Sequence, residues 1–181
     1  MSHAQLKWPG FTAYNTLIID VDKHEFGIKA EPIEYSGSTF IPKQEAHITV
    51  LGTELGSRLH QLFISNSRIE QQVRQAFEST DWSYTTTGDL RHIARENTEL
   101  AGMNVTEESI IMLVEMEGMA EFYAQLKTLG VIDNDHPVPP PHVTLYTRNC
   151  DPGIGIHSDV ELSKLSRERV AVSDFNETKS S

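Results

Sequence analysis

The chain has 181 residues, 38% of them hydrophobic, which suffices for one domain with a real core. Its 26 acidic side chains outnumber the 15 Lys and Arg for a net charge of −11, so it is a poor general binder of long nucleic acid, although a local positive pocket for one phosphate is allowed. A single cysteine, Cys150, excludes an internal disulfide and a cysteine-rich zinc site, and neither a leader-like N-terminus nor a long apolar run stands out, so the expectation is a cytoplasmic monomer without a membrane partner.

Residues 1–10 are short and polar, with a turn at Trp8-Pro9-Gly10. Residues 12–21 hold Tyr14, Leu17, Ile18 and Ile19 and are predicted as a strand. After a turn at 23–25, residues 26–35 pair back as a second strand that Pro32 weakens, and Ser36-Gly37-Ser38 is a loop. Residues 40–51 form a third strand, closed by Gly52. Leu55, Leu59, Leu62, Phe63, Ile69, Val73, Ala76 and Phe77 recur at helical spacing. Ser65-Asn66-Ser67 interrupts them, and Ser67 with Glu70 reads as a capping box, so two helices or one broken helix are predicted.

Residues 81–87 alternate as a strand, Gly88-Asp89 turns, and 90–95 is a short strand. Residues 96–109 are predicted as a loop, and 110–116 as a buried strand. Met119, Phe122, Leu126 and Leu129 mark a helix face that Gly130 ends. An irregular, proline-rich approach at 133–141 leads to a strand from His142. Residues 151–157 are a tight loop, Ser158 and Glu161 cap a short helix to about Leu165, 169–175 is a last strand, and 176–181 is a frayed tail. The order specifies an α+β domain with a mostly antiparallel sheet and helices on its outer faces.

Two stretches stand out. His47-Ile48-Thr49-Val50 and His142-Val143-Thr144-Leu145 both read His, β-branched apolar, Thr, apolar. On average composition a given His is followed by apolar-Thr-apolar roughly once in a hundred times. Two copies among eight histidines are therefore a chance event on the order of a few in a thousand. The competing reading is two ordinary half-buried strands, each with a satisfied His. In a strand the His and Thr share one face and the apolar pair the other.

Two such strands on one cleft suit cleavage of a phosphodiester at a ribose. One imidazole takes a proton from the nucleophile and the other gives one to the leaving oxygen. The threonine hydroxyls donate to phosphate oxygens, hold phosphorus in line and offset developing charge. Other chemistries lack their patterns. There is no His-x-His, His-Glu-x-x-His or cysteine cluster for a metal, no Gly-x-Ser-x-Gly and no P-loop, and Gly153-Ile154-Gly155 is too short for a dinucleotide fingerprint.

On these eight residues the chain resembles the two-histidine phosphoesterase superfamily, which includes the LigT-like RNA 2′,3′-cyclic phosphodiesterases. The resemblance implies a bilobal fold, two related antiparallel sheet-and-helix lobes around a central cleft, spanning residues 1–181 as one domain with 1–11 and 176–181 as flexible ends. It implies His47 and His142 as catalytic, Thr49 and Thr144 as phosphate-binding, no metal and no cofactor. The implied substrate is a nucleotide or short RNA end with a cyclic phosphate. Alternatives are 2′-5′ phosphodiester cleavage or ligation, or a non-catalytic nucleotide- or RNA-binding module. Members of that superfamily commonly carry an arginine soon after the second motif; here Arg148 follows Tyr146 and Thr147.

Strand parity adds Tyr146, to stack on a base, and Arg148, to meet a phosphate, if the strand stays regular beyond His142. Lys43 has the same parity with His47, but Pro42 precedes it and a surface role is expected. His157 precedes a helix near the second motif; it is a candidate to line the cleft, but a role in the cap region is expected.

Overall fold

The structure, a computed structural model, describes residues 4–97 and 104–177. Its strands are β1 (Leu17–Val21), β2 (Ile33–Tyr35), β3 (Ser38–Pro42), β4 (Ala46–Leu51), β5 (Thr85–Asn97), β6 (Val105–Glu115), β7 (His142–Arg148), β8 (Ser166–Val170) and β9 (Asn176–Glu177). Its α-helices are α1 (Thr53–Ser65), α2 (Ser67–Ser79), α3 (Glu117–Thr128) and α4 (Asp159–Leu165). This is an α+β fold. The strands form one sheet in the order β8-β5-β6-β7-β3-β2-β9, with β4 also on β7 and β1 on β4, and every pairing is antiparallel.

Several expectations change in detail. The predicted strand at 40–51 is two strands, β3 and β4, which lie along the same edge of β7 and are separated by residues 43–45. Residues 12–16 do not extend β1, because Asn15 takes φ 57° in a turn. Only Ile33–Tyr35 of the predicted second strand pairs, and it joins β3 through a turn with φ 50° at Ser36 and 79° at Gly37. The helical stretch is two helices, and the cap of α2 is Asn66, whose Oδ1 accepts from the Ile69 amide, in place of the expected Ser67.

Gly88, at φ 70°, lies in a register shift inside the single long strand β5. The predicted loop at 96–109 is strand at Glu96, Asn97 and residues 105–109; residues 98–103 lie outside the description. The last predicted strand stops at Val170 and a short 3-10 turn follows at Val172–Asp174. Of the expected tail, Asn176–Glu177 pairs with β2, and 178–181 lie outside the description. Ala4 to Phe11, expected as a loose end, run along α2: the Ala4 amide donates to Asp81, the Trp8 amide to Glu78, and the Trp8 ring meets Phe11, Phe63 and Phe77.

The main core lies on one side of the sheet. Ile48, Val50, Val143 and Leu145 pack there with Leu55, Leu59, Phe63, Val73, Phe77, Trp82, Phe122 and Leu126 from the helical layer. Both halves of the chain contribute to this one cluster. A smaller cluster of Ile93, Ile111, Ile154, Ile156 and Leu162 covers part of the other face beneath α4. No helix among the described residues is long and apolar enough to cross a membrane.

α3 is bound closely to the chain entering β5. A Cβ on Gly118 would lie 2.1 Å from the Asp81 carbonyl oxygen. Elsewhere in a helix, Gly to Ala is a gain. Here the clash wins, and Gly118→Ala is expected to lower stability by about 1–3 kcal/mol in urea unfolding. An unchanged or raised midpoint would show that α3 does not pack this closely.

Candidate active site

The two motifs are neighbours in the sheet. β4 pairs antiparallel with β7, with Ile48 opposite Val143. Continuing that register one residue each way sets His47 opposite Thr144 and Thr49 opposite His142. Residues opposite one another in an antiparallel pair share a face. The four side chains therefore form a square, each His beside the other strand's Thr and the two imidazoles on one diagonal. Directly opposed Cβ atoms lie about 4.5–5.5 Å apart and diagonal ones somewhat under about 7–8 Å, so both rings reach one phosphate-sized group. Behind the square, Ile48 and Val143 are fully buried, whereas His47, Thr49 and Thr144 are half-buried and His142 is 9% exposed.

The surroundings repeat with local two-fold symmetry about the Ile48–Val143 pair. β4 takes β1 on its outer edge and β7 takes β6. In each motif the fourth residue is a bulge. Thr49 and Leu51 pair with consecutive residues Ile18 and Leu17, leaving Val50 extra; Thr144 and Tyr146 pair with Ile111 and Ile110, leaving Leu145 extra. Bulges of this kind bend a strand and re-aim side chains beside active sites.

The second bulge overturns the parity expectation for Tyr146 and Arg148. Beyond Leu145 the alternation reverses, so both point to the opposite face from His142. The Tyr146 ring is 1% exposed in the main core, against Phe175, and its hydroxyl accepts from the Lys29 amide. Arg148 is held by Glu108, whose other oxygen meets His92 Nε2 at 3.0 Å. On the motif face, the buried positions there are Thr147 and its partner Ser109.

The symmetry breaks at the outer neighbours. Opposite His47 on β1 stands Asp20; opposite His142 on β6 stands Leu113. His142 Nδ1 lies 2.8 Å from the Pro140 carbonyl oxygen. A carbonyl only accepts, so Nδ1 carries the proton and Nε2 of the neutral ring keeps its lone pair. Burial lowers the His142 pKa from its ordinary value; the Pro140 bond opposes this, and the charge of His47 lowers it further. His47 is lowered by burial and by the Lys43 ammonium, while Asp20 and Glu45 pull it back up. Its Nδ1 is shielded and has no hydrogen-bond partner among the described residues.

Residues 149–157, following β7, cover one side of the square. Gly153, at φ 87°, approaches Thr144 so closely that a Cβ would lie 3.1 Å from its Oγ1. The Ile154 amide donates to Ser109 Oγ, and Lys43 Nζ donates to the Asp151 carbonyl at 2.6 Å. Ser158 caps α4, and His157 precedes it in the cap region: its amide and Nδ1 both meet Glu161 Oε2, in the first turn of α4. Its ring also faces Gly52 at the end of the first motif strand. On the core side the Tyr123 hydroxyl donates to the carbonyl of bulged Val50 at 2.8 Å, and burial pushes its pKa up, keeping it a donor. Asp20 and Gly153 carried no motif signal; each matters only through its partner in space.

Among the described residues no three His, Cys, Asp or Glu side chains converge as a metal donor set. An aromatic hollow lined by Trp8, Phe11, His60 and Phe63 shares no residue with the square. No family model, curated protein or solved structure matches the chain.

Both motif histidines titrate lower folded than unfolded, where imidazole titrates near about 6.5. Between those values the unfolded chain binds more protons, so these groups make stability fall as pH drops through about 6.5 until the folded values are passed. The urea midpoint should fall from pH 7.5 to 5.5, and fall less in His142→Gln. Equal falls would show that His142 is not held neutral by its surroundings.

Proposed function

We propose that the chain is a metal-independent phosphodiesterase of the two-histidine phosphoesterase type, opening 2′,3′-cyclic phosphates of nucleotides or short RNA ends. The observation that carries this reading is the register of β4 on β7, with Ile48 opposite Val143. It brings two imidazoles and two hydroxyls to one face, the set that proton transfer and phosphate holding require. The two motif-bearing halves are read as the two lobes of that family, joined through their motif strands. The net charge of −11 favours free nucleotides and short ends over long RNA. The protein is read as a cytoplasmic monomer, its one cysteine a free thiol.

The asymmetry at the outer neighbours supports an assignment of the roles. His142, with its proton committed to Pro140 and an apolar neighbour in Leu113, is the base. Its Nε2 takes a proton from water, whose oxygen attacks phosphorus. His47, beside Asp20, is the acid: its imidazolium gives a proton to the departing ribose oxygen as the P–O bond breaks. A depressed pKa makes it a strong acid, and the bound phosphate anion helps keep it charged beforehand. Thr49 and Thr144 donate to the non-bridging oxygens. The product is a phosphomonoester, and both histidines reset by exchange with solvent.

Hydrolysis of a 2′,3′-cyclic nucleotide in the presence of chelator tests this. His47→Ala and His142→Ala should each lose about 10²–10⁴-fold in kcat. Thr49→Val and Thr144→Val should each lose up to about 10²–10³-fold. A large loss on chelation would contradict the metal-independent mechanism. Wild type silent on cyclic phosphates but active on 2′-5′ linkages would move the substrate. Silence on both would replace the enzyme with a nucleotide-binding module.

The pH profile supplies a second check. Both free-enzyme values are depressed, so kcat/KM should be bell-shaped with its maximum below about pH 6.5. A flat profile, or an optimum near pH 8, would contradict the paired-imidazole mechanism.

A further inference from the structure

We propose that Lys43 is the cationic anchor of this site, donating from its ammonium to the anionic phosphate held between the two motifs. The proposal rests on the phosphodiesterase reading and names the residue that supplies its positive charge.

Phe40 and Pro42 are buried on the core side of β3, so alternation carries Ile41 and Lys43 to the motif face, where Ile41 is 52% exposed. The Lys43 amide donates to the Leu145 carbonyl at 2.9 Å, which seats the residue beside the bulge that follows Thr144. Its side chain then crosses to the Asp151 carbonyl, two residues from the Gly153 that rests on Thr144. Its charge also acts on His47. The ammonium is thereby tied to both diagonals of the square, to Thr144 through the covering segment and to His47 through its field.

The alternatives are already occupied. Arg148 lies on the opposite face with Glu108. Arg91 and Arg95, farther along the motif face on β5, are paired with Asp89 and Glu107. Lys43 differs: its hydrogen bond is to a neutral carbonyl, and it makes no salt bridge among the described residues. An ammonium has three donors, and the Asp151 bond uses one. In a chain of net charge −11, a cation outside the salt bridges, tied to the segment that covers Thr144 and acting on His47, is a site for one anionic group.

The test is a titration with inorganic phosphate, followed by the NMR signals of the His47 and His142 rings, on the full chain and on Lys43→Gln and Lys43→Arg. Lys43→Gln should weaken phosphate binding at least about tenfold, with amide signals away from the site unmoved, and Lys43→Arg should stay within a few-fold of wild type. In Lys43→Gln the His47 titration should also move up, since Asp20 and Glu45 then act on it without the opposing cation. KM for a cyclic nucleotide should rise more than kcat falls. Unchanged phosphate affinity in Lys43→Gln, or a Lys43→Arg as weak as Lys43→Gln, would overturn the anchor while leaving the phosphodiesterase reading intact. Phosphate that fails to bind wild type, or binds without moving either ring, would overturn both.

Discussion

Everything at the candidate site depends on the register of one strand pair, β4 against β7. Ile48, Val50, Val143 and Leu145 are each at most 2% exposed on its core side. Each contributes roughly 1.5–3 kcal/mol by burial. Together that is comparable with the whole stability of an ordinary domain, about 5–15 kcal/mol. A slip of one residue turns these four toward solvent and drives His and Thr into the core, so the register is strongly specified. The same burial that stabilises the sheet aligns the two motifs, and the site needs no separate device to assemble it.

The pair is built nearly twice over. Its two halves share an antiparallel outer neighbour, a fully buried second residue and a bulged fourth residue. Symmetry of this kind gives two identical imidazoles, which is of no use to a reaction that needs one proton taken and another given. In the proposed mechanism the differences carry the chemistry. A carboxylate stands beside His47 and a leucine beside His142; a backbone carbonyl fixes the His142 proton; Lys43 reaches one side only. On that proposal, environment pushes two like groups toward two roles.

The rest of the chain serves as scaffold around that face. The helical layer and Trp82 fill the core behind it, and Tyr123 ties α3 to the bulge of the first motif. On the open side, Ile154 and Ile156 pin residues 149–157 into the small second cluster, which holds Gly153 against Thr144. The backbone of this segment is thus fixed by apolar anchors, leaving its carbonyls to meet Lys43.

The sequence by itself determined the α+β class, the helices, and which side chains of each motif share a face, because these follow from periodicity within a single element. It also singled out His47, Thr49, His142 and Thr144, since a repeated four-residue pattern is visible without coordinates. Alternation failed at Tyr146 and Arg148. A bulge at Leu145 is a property of two strands with unequal counts, and neither strand alone records it. The split of residues 40–51 into β3 and β4 was hidden for the same reason: both lie on one edge of β7, which only the pairing reveals. Asp20, Gly153 and Lys43 gained their places near the square from contacts over long sequence separations, of which Lys43 with Asp151 is one. Local pattern decides what an element is and which way its side chains alternate; only the packed sheet decides which elements meet, in what register, and so which charges surround each imidazole.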